Sequence, residues 1–377
     1  MTWWKLVWLE LKAIASDKAI AITLFGGVLF YSVLYPLPYL HEVPTRQPIV
    51  VVDLDHSPMS RELIRHAQAS PKLQVAGAVN AIAEAKDWIT HGRAHGLLVI
   101  PAHFSRDLQL GKGATLAIGG DASYFLVYSA IAEGLVSVGM DFSSQLKWHA
   151  LTARGTNPVA ADMQLHSLDI NSVPAFNLSL GYTPYVVPGL FLLILQQTML
   201  VGTCILGAGQ WRKPGYWQQV SPLMLLGGRL LAFGAIYACF SAYYVGWCYY
   251  WYKVNLLASM TEILLLMVPF LLATAAGGVA LSTLFTRREL PTQVILLSSM
   301  PILFVSGFVW PLALIPQPLV WLSQVFPVTP AIMGMLEMNV MGASWTQIQP
   351  YWWHLWLLAA IFLPLAWWGI RHHRQQL

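Results

Sequence analysis

Charge is what this sequence has least of. Only 10% of its 377 residues are Asp, Glu, Lys or Arg, whereas about a quarter are charged in soluble globular proteins. The mean hydropathy of +0.56 is correspondingly high. These values exclude an ordinary soluble protein and indicate a polytopic membrane protein. Five uncharged stretches have the roughly 20 residues that a helix needs to cross a bilayer: 19–40, 183–209, 230–252, 263–286 and 351–370.

Cysteine is scarce as well, and no nucleotide-binding loop is present. The three cysteines all lie in apolar stretches, so the polar part of the chain has no disulfide and must depend on an ordinary core.

Gly111-Lys112 lacks the glycine five positions earlier that a phosphate-binding loop requires. We therefore expect no ATP hydrolysis by this chain alone. The basic residues are divided among short loops, which does not favour a nucleic-acid partner.

Basic residues are concentrated in four short segments beside the apolar stretches. These segments hold nine Lys or Arg against three acidic residues, whereas the polar insert 41–182 holds ten against twelve. Because Lys and Arg in short loops favour the cytoplasmic side, the pattern predicts six transmembrane helices, both termini cytoplasmic and the insert extracytoplasmic. Residues 1–18 are predicted to form a cytoplasmic interfacial helix, residues 19–40 an uncleaved first transmembrane helix, and residues 371–377 a cytoplasmic tail.

A further uncharged run, 290–336, is 47 residues long. Two spans there would place the basic C-terminal segment outside, against the charge rule. We therefore expect one span over 292–314, followed by a proline-rich, re-entrant outer segment over 312–336. Irregular backbone at membrane depth must be covered by protein or face water. This segment is thus predicted to belong to a pore mouth or to a contact between two copies.

The insert 41–182 alternates strand and helix patterns. Strands are predicted over 47–54, 72–79, 96–100 and 114–119, and helices over 58–69, 81–91 and 101–110. Such alternation indicates a small sheet with helices against it, an α/β domain. Apolar residues then recur every three or four positions, which predicts one long helix over 122–154 that forms a stalk or lies across the sheet. Residues 159–182 are predicted to be mostly loop.

Three groups of polar residues are candidates for chemistry, and each has a plainer interpretation. Asp53 and Asp55 have the spacing of a metal-binding pair in a sugar-transferring enzyme, but such aspartates are more often turn-formers. His91 and His95 have the spacing of metal ligands on a helix, yet no third ligand is evident. Arg229 lies at a span end, where a charge usually anchors to the membrane interface. We therefore predict no catalytic residue and no metal site.

Five motifs, taken in order, resemble one family. They are 52–61 (VDLDHSPMSR), 92–104 (GRAHGLLVIPAHF), 119–123 (GGDAS), 305–311 (VSGFVWP) and 321–330 (WLSQVFPVTP). Their order and spacing resemble those of ABC-2 type export permeases with a large extracytoplasmic domain after the first transmembrane helix. The resemblance covers essentially the whole chain. It implies a membrane α-helical, type V ABC exporter-like transmembrane fold in the bacterial inner membrane, in a transport subunit that is not itself an enzyme.

The resemblance also implies partners and cargo. A second permease, identical or homologous, and separate ATPase subunits that bind ATP and magnesium would complete the transporter. A periplasmic membrane-fusion adaptor and an outer-membrane channel are further candidates, and amphipathic or drug-like compounds are the expected cargo. The alternative function is a membrane-anchored sensor or scaffold whose outer domain binds a ligand or partner. A membrane-embedded enzyme that uses Asp53 and Asp55 is a third.

Two sets of residues are implied as functional. The loop 210–222 corresponds to the family's cytoplasmic coupling loop, but it lacks the acidic residues that family members usually carry there. It is then either a divergent coupling element or the weaker half of a heterodimer whose partner has the intact motif. Its candidate residues are Trp211, Arg212, Lys213, Gly215 and Trp217. The outer segment, together with the motif 305–311 that precedes it, corresponds to an outer gate, and the name outer segment covers both below. Its candidate residues are Ser306, Gly307, Phe308, Pro311, Pro327 and Pro330.

Overall fold

A computed structural model describes residues 2–39, 44–165, 175–176, 181–211, 214–285 and 287–375 of the protein. The chain divides into two compact units. One is Val43–Val173, and the other combines Met1–Glu42 with Pro174–Leu377. We call the first the α/β unit and the second the helical unit.

The helices and strands are as follows. Up to residue 165 they are α1 (Trp3–Ser16), α2 (Lys18–Ala21), α3 (Gly27–Leu34), β1 (Gln47–Asp53), α4 (Pro58–Ala69), β2 (Leu73–Val79), α5 (Ile82–Thr90), β3 (Gly96–Ile100), α6 (Phe104–Gln109), β4 (Ala117–Gly120), α7 (Phe125–Ala153) and α8 (Pro158–Leu165). From residue 181 they are α9 (Thr183–Gln210), α10 (Pro222–Ala242), α11 (Tyr249–Trp251), α12 (Met260–Ser282), α13 (Leu290–Val305), α14 (Gln317–Ser323), α15 (Val328–Asn339) and α16 (Trp345–Gln375). Turns of π-helix at Ile22–Gly26 and Tyr243–Cys248 join α2 to α3 and α10 to α11.

The α/β unit is built on a small mixed sheet in the order β2-β1-β3-β4. The central strand β1 pairs in parallel with β2 and β3, and β4 pairs antiparallel with β3. Successive side chains of a strand point to opposite faces. Accordingly, Ile49 and Val51 pack with residues of α4 and α7, while Val50 and Val52 pack with residues of α5. The predicted β3 has the observed bounds, and the predicted β4 begins three residues early.

The long helix α7 lies across this sheet. Its buried residues Ile131, Leu135, Val138 and Phe142 follow the predicted spacing of three or four and join the core formed with β1, β2 and β3. By length and composition α7 would also pass as a membrane span. Because the sheet covers one of its faces, the packing supports the second predicted alternative for this helix rather than a free stalk.

The prediction of loop over 159–182 was wrong for 159–165, where the structure has a helix, but the described residues 175–176 and 181–182 are not helical. Helix α8 forms because the Asn157 side chain accepts a hydrogen bond from the Val159 backbone N–H (2.8 Å) and Pro158 occupies the first helical position. Both features favour a helix start. Most of the remaining predicted loop lies outside the described residues.

Five long apolar helices of the helical unit could cross a membrane. Within the described residues they are Lys18–Tyr39, Thr183–Gln210, Pro222–Trp251, Met260–Ser282 and Trp345–Arg374. Each coincides with a predicted span, but the third begins eight residues before the predicted start at 230. Ser221 caps α10 by accepting from the Met224 N–H (3.2 Å), and Pro222 fills the first position. Helix α9 is buried nearly all round, as expected for a central helix.

The predicted span 292–314 ends earlier than expected. Helix α13 stops at Val305, and Gly307 takes a left-handed φ of +96° that ends the helical path. The 16 residues of α13 rise about 24 Å, which is less than the roughly 30 Å of a bilayer core. After it, α14 and α15 meet at a bend of 93°. The outer segment therefore contains two short helices rather than the end of a span.

Four chain segments meet at one end of the helical unit, which we call the basic end. Arg288 pairs with Asp17 (2.6 Å), and Arg374 donates to the backbone carbonyls of Gln218 and Val220. These contacts join the N-terminal segment, the loop after α9, the loop after α12 and the C-terminal segment. Their convergence agrees with the alternation of segments that the charge pattern predicted.

The opposite end of the helical unit holds the two points where the chain leaves and returns. The rings of Tyr39 and Tyr182 stack at 6.0 Å, and the Thr183 hydroxyl donates to the Tyr39 carbonyl (2.8 Å). Nearby, Pro36 has no N–H to offer the Ser32 carbonyl four residues earlier. The Tyr252 hydroxyl donates to that carbonyl instead (2.7 Å). Side chains thus fix both chain segments at this end.

Candidate coupling site and outer segment

The loop between α9 and α10 is anchored by two buried indoles. Trp211 and Trp217 meet edge to face with ring centroids 5.5 Å apart. A Cβ added at Gly215 would lie 3.0 Å from the Trp217 ring, so this close contact favours glycine. The structure thus brings together three of the predicted coupling residues. The other two, Arg212 and Lys213, lie outside the described residues.

Trp211 connects this loop to the ends of two membrane helices. Its indole N–H donates to the Ser282 carbonyl at the end of α12 (3.2 Å). Its ring stacks on His373 of α16 with 5.5 Å between centroids and 3° between planes. One side chain therefore links the loop to both α12 and α16.

A buried ion pair lies beside Trp211. Glu10 of α1 and Arg229 of α10 are both fully buried, with Arg229 Nε 3.1 Å from Glu10 Oε2. The prediction that Arg229 is an interface anchor was wrong, because α1 covers it. The close approach of α1 depends on two glycines of α10: a Cβ at Gly227 or Gly228 would come within 2.8 Å of the Trp3 or Leu6 side chain.

The last residue of α9 and one loop residue complete the polar cluster around this ion pair. Gln210 accepts a hydrogen bond from Arg229 through its amide oxygen and donates to the Tyr216 hydroxyl (3.0 Å). The Tyr216 hydroxyl donates to Glu10 (3.0 Å). Burial, and then the Glu10 carboxylate, raise the pKa of Tyr216, so this hydroxyl stays protonated and acts as a donor. We call Glu10, Gln210, Trp211, Tyr216, Trp217 and Arg229 the coupling site.

The coupling site joins α1, the loop and α10 by charge and hydrogen bonds. Buried charges are stable only when paired, and a lost partner is costly. One nitrogen of Arg229, Nη1, has no hydrogen-bond partner among the described residues. Displacement of the loop would separate Gln210 and Tyr216 from the ion pair. The arrangement therefore links the loop to α1 and α10 through side-chain contacts alone.

The outer segment begins with a tight turn seated on α9. A Cβ at Gly307 would lie 2.7 Å from Leu312 and 3.0 Å from the Met333 sulfur. The positive φ of Gly307 also favours glycine, so both the space and the backbone conformation require this residue type. The next residue, Phe308, is buried with its ring against Gly189 of α9, where a Cβ would lie 2.8 Å from the ring. Ser306 is buried and bonds back to the Leu303 carbonyl (2.8 Å).

The bend between α14 and α15 reaches the middle of α9. Pro327 and Pro330 are buried there, whereas Pro311 is exposed. The Val328 N–H donates to the Gln196 side-chain oxygen (2.7 Å). Gln196 is the 14th of the 28 residues of α9. Since α9 is long enough to cross a membrane, this bond holds the bend, which we call the tip, at about half its depth.

The other polar candidates act as local structural groups. Asp53 accepts from the backbone N–H groups of Asp55 and His56, both at 3.0 Å, and Asp55 accepts from the Ser105 N–H (3.0 Å). The interpretation of Asp53 as a turn-former is confirmed, whereas Asp55 binds the start of α6 rather than its own turn. The Nδ1 atom of His91 lies 2.8 Å from a carbonyl of its own helix. Among the described residues, no group of three or more His, Cys, Asp or Glu could hold a metal ion.

Sequence reasoning did not single out four residues of these two sites, Glu10, Gln210, Tyr216 and Gln196, although Gln210 and Tyr216 lie within the predicted loop 210–222. Glu10 and Arg229 are 219 positions apart, so no local pattern connects them. A signal was nevertheless present. Each is a charge within a mainly apolar helix, and charges at such positions usually pair with each other. Gln196 stands in an uncharged span, where one polar side chain also marks a specific partner.

Comparison with known proteins identifies the family. The sequence model described as ABC-2 family transporter protein matches residues 18–368. The chain is 25% identical over 335 residues to the probable multidrug ABC transporter permease YbhR of Escherichia coli strain K12, covering 87% of this chain and 86% of that protein. The YbhR of Escherichia coli O157:H7 gives the same figures. The resemblance noted from the motifs is confirmed, and the chain belongs to the ABC-2 family of transporter proteins.

Proposed function

We propose that this multi-pass membrane protein is the permease subunit of an ATP-driven exporter for amphipathic or drug-like compounds. Family membership supports the role of transport subunit. The similarity to a probable multidrug permease supports the class of cargo. ATP and magnesium would bind to separate ATPase subunits.

The coupling site is the observation that carries the proposal. An ATPase that pressed on the loop after α9 would move Trp211 and Tyr216, which contact α1, α12 and α16. Transmission of this kind requires an element with two arrangements that both sites influence. In our proposal that element is the loop with its hydrogen bonds to the ion pair of Glu10 and Arg229.

The absence of acidic residues from the loop has an explanation in this scheme. The carboxylate of Glu10 reaches the coupling site from α1, where it accepts from Tyr216 and Arg229. We propose that it does the work of the acid that other family members carry in the loop. The loop is then a complete coupling element, formed by two separate parts of the chain.

The charge distribution supports a particular orientation in the membrane. The basic end carries the short Lys- and Arg-rich segments, which favour the cytoplasm. In the proposed arrangement both termini are cytoplasmic, the membrane is the bacterial inner membrane, and the α/β unit is periplasmic. The transmembrane fold would be of the type V exporter class, with six spans when α13 is counted. The α/β unit would dock a periplasmic adaptor and an outer-membrane channel or shape the exit path.

The outer segment would act as the outer gate. Its two halves rest on α9, through Phe308 on Gly189 and through Val328 on Gln196. Movement of α9 would therefore shift both halves together. The buried side chains of Pro327 and Phe308 would form the closed surface.

ATP hydrolysis by the partner ATPase subunit that the family implies tests the proposal. The full chain is co-expressed with that ATPase, purified and reconstituted in lipid vesicles. We expect co-purification, hydrolysis that responds to amphipathic cations, and a severalfold loss of that response in Glu10→Gln. Glu262→Gln is the matched control, because Glu262 only caps α12.

Two outcomes would contradict the proposal. One is an ATPase that neither co-purifies nor changes its hydrolysis in the presence of the chain. The other is an activity of the chain that persists without any ATPase and tolerates replacement of the loop, which would favour the sensor or scaffold instead.

A further inference from the structure

An apolar groove runs along the outside of the helical unit, between α12 and α16. Its volume is about 310 Å³. Small residues of α12, among them Ala273, Gly277 and Ala280, form its floor, and Phe362 and Leu365 of α16 form one side. The tip residues Phe326 and Pro327 close its inner end. The small side chains of α12 do not fill the gap between the two helices, so the groove remains open.

The groove has the depth of one membrane leaflet. From Ala273 to Thr283 the α12 backbone rises about 15 Å, which is half of the roughly 30 Å hydrocarbon core. At its open end, Leu284 and Trp368 are exposed by 74% and 61%. Both helices are long enough to cross a membrane, so the medium at this opening is lipid.

Positive charge lies just beyond the open end. Arg287 follows Leu284 along the chain, and Arg371 and His372 follow Trp368 by about one helical turn. The His372 ring stacks on Trp368 at 5.6 Å. Arg287 and Arg371 are exposed. A molecule with an apolar chain in the groove would therefore present its other end to basic side chains.

We propose that this groove binds one acyl chain of an anionic phospholipid, with the phosphate near Arg287 and Arg371. Three observations select this occupant: an apolar wall, a depth of one leaflet and basic residues at the membrane-water boundary. The end of the acyl chain contacts Phe326 and Pro327. The lipid thereby fills the space behind the tip of the outer segment.

One polar atom in the wall distinguishes this occupant from others. Thr274 is buried in the floor, and its hydroxyl has no hydrogen-bond partner among the described residues. By contrast, Thr198 and Thr203 bond to carbonyls of their own helix. A hydrocarbon chain leaves this buried hydroxyl unused, whereas a transported compound that binds through it would have to displace the side chains that cover it. Thr274→Val therefore separates the two.

Photolabelling tests the proposal on the full chain in nanodiscs. The probe is a phosphatidylglycerol with a diazirine at the end of one acyl chain, and the labelled peptides are mapped by mass spectrometry. Because the diazirine lies at the end of the acyl chain, we expect labels on residues 273–277 and 325–327, at the inner end of the groove. Ala280→Trp, which fills the groove, should lower this labelling at least fivefold, while Val268→Trp, an exposed position of α12 away from the groove, should not change it by more than twofold.

Competition by unlabelled lipids and the variant Thr274→Val test the chemical nature of the occupant. Unlabelled phosphatidylglycerol should displace the probe at least threefold better than phosphatidylcholine, and Thr274→Val should label as well as the unmodified chain or better. Equal labelling of Ala280→Trp and Val268→Trp would overturn the groove as the site. Reduced labelling of Thr274→Val would overturn a hydrocarbon occupant, and equal competition by the two lipids would overturn the role of the basic residues.

Discussion

At the scale of the residue, Arg229 shows how much a buried charge depends on its neighbours. It lies within a membrane helix and has no exposure to solvent, yet Glu10, Gln210 and the Trp211 ring surround its guanidinium. The net value of a buried ion pair is small, because desolvation offsets attraction. Removing a single partner is different, since it leaves one charge buried alone. The pair therefore fixes the position of α1 more than it adds stability.

Glu10→Ala should destabilise the chain markedly. Loss of the carboxylate leaves Arg229 unpaired, which costs roughly 3–5 kcal/mol for buried pairs. We expect a large fall in the midpoint of thermal unfolding of the purified protein. The double variant Glu10→Leu with Arg229→Met should regain most of it, since neither charge remains. Lys12→Ala, exposed on the same helix, is the control, and a Glu10→Ala midpoint equal to the control would refute this account of the pair.

At the scale of the element, α9 is the support for both halves of the outer segment. Gly189 receives Phe308, and Gln196 receives the Val328 N–H. These two positions are seven residues apart, so they lie two turns, about 10 Å, apart on nearly the same side of the helix. One helix face thus sets the separation of the tight turn and the tip.

Gly189→Ala and Gly234→Ala should have opposite effects. An added methyl group at 189 would overlap the Phe308 ring, and overpacking of this kind costs about 1–3 kcal/mol. Gly234 is a helical glycine with nothing within 4 Å of its missing Cβ, so alanine there should stabilise by up to about 1 kcal/mol. Thermal unfolding measures both, and adding Phe308→Leu should partly rescue Gly189→Ala. A gain of stability in Gly189→Ala would contradict the contact with Phe308. A loss of stability in Gly234→Ala would contradict the open space beside Gly234.

Local features of the elements were predictable, and contacts between distant elements were not. Ser57 and Pro58 start α4 as their types require, and the turn at Asp53 follows from the preference of aspartate. The end of α13 was misplaced because an apolar composition continues past Gly307, and composition does not show a positive φ. Arg229 was misread because its partner comes from α1. Long-range pairs of this kind are set by packing, which the local sequence does not contain.

At the scale of the whole molecule, one face of α13 has no partner among the described residues of the helical unit. Val294, Leu297, Met300 and Phe304 are exposed and recur every three or four residues, whereas the buried Ile295 and Ile302 face the rest of the unit. Helix α13 is also too short to cross a bilayer easily alone. We propose that this face contacts the second permease subunit, which the family implies.

Disulfide trapping in membranes tests this contact. If two copies meet through α13, Leu297→Cys should form a covalent dimer on mild oxidation, since Leu297 is 81% exposed and would approach its equivalent near a two-fold axis. The experiment is done in a background without the three native cysteines. Leu264→Cys, also exposed but on α12, should remain monomeric. Trapping at 264 and not at 297 would assign the contact to another face.

The stacked rings of Tyr39 and Tyr182 have a consequence for how the family can diversify. The chain leaves and re-enters the helical unit at two points that Thr183 binds together. The 131 positions from Val43 to Val173 should therefore be replaceable as one unit. A short flexible linker could replace them at a modest entropic penalty. Exchange of this unit between homologues would then change its surface while the membrane helices keep their own packing.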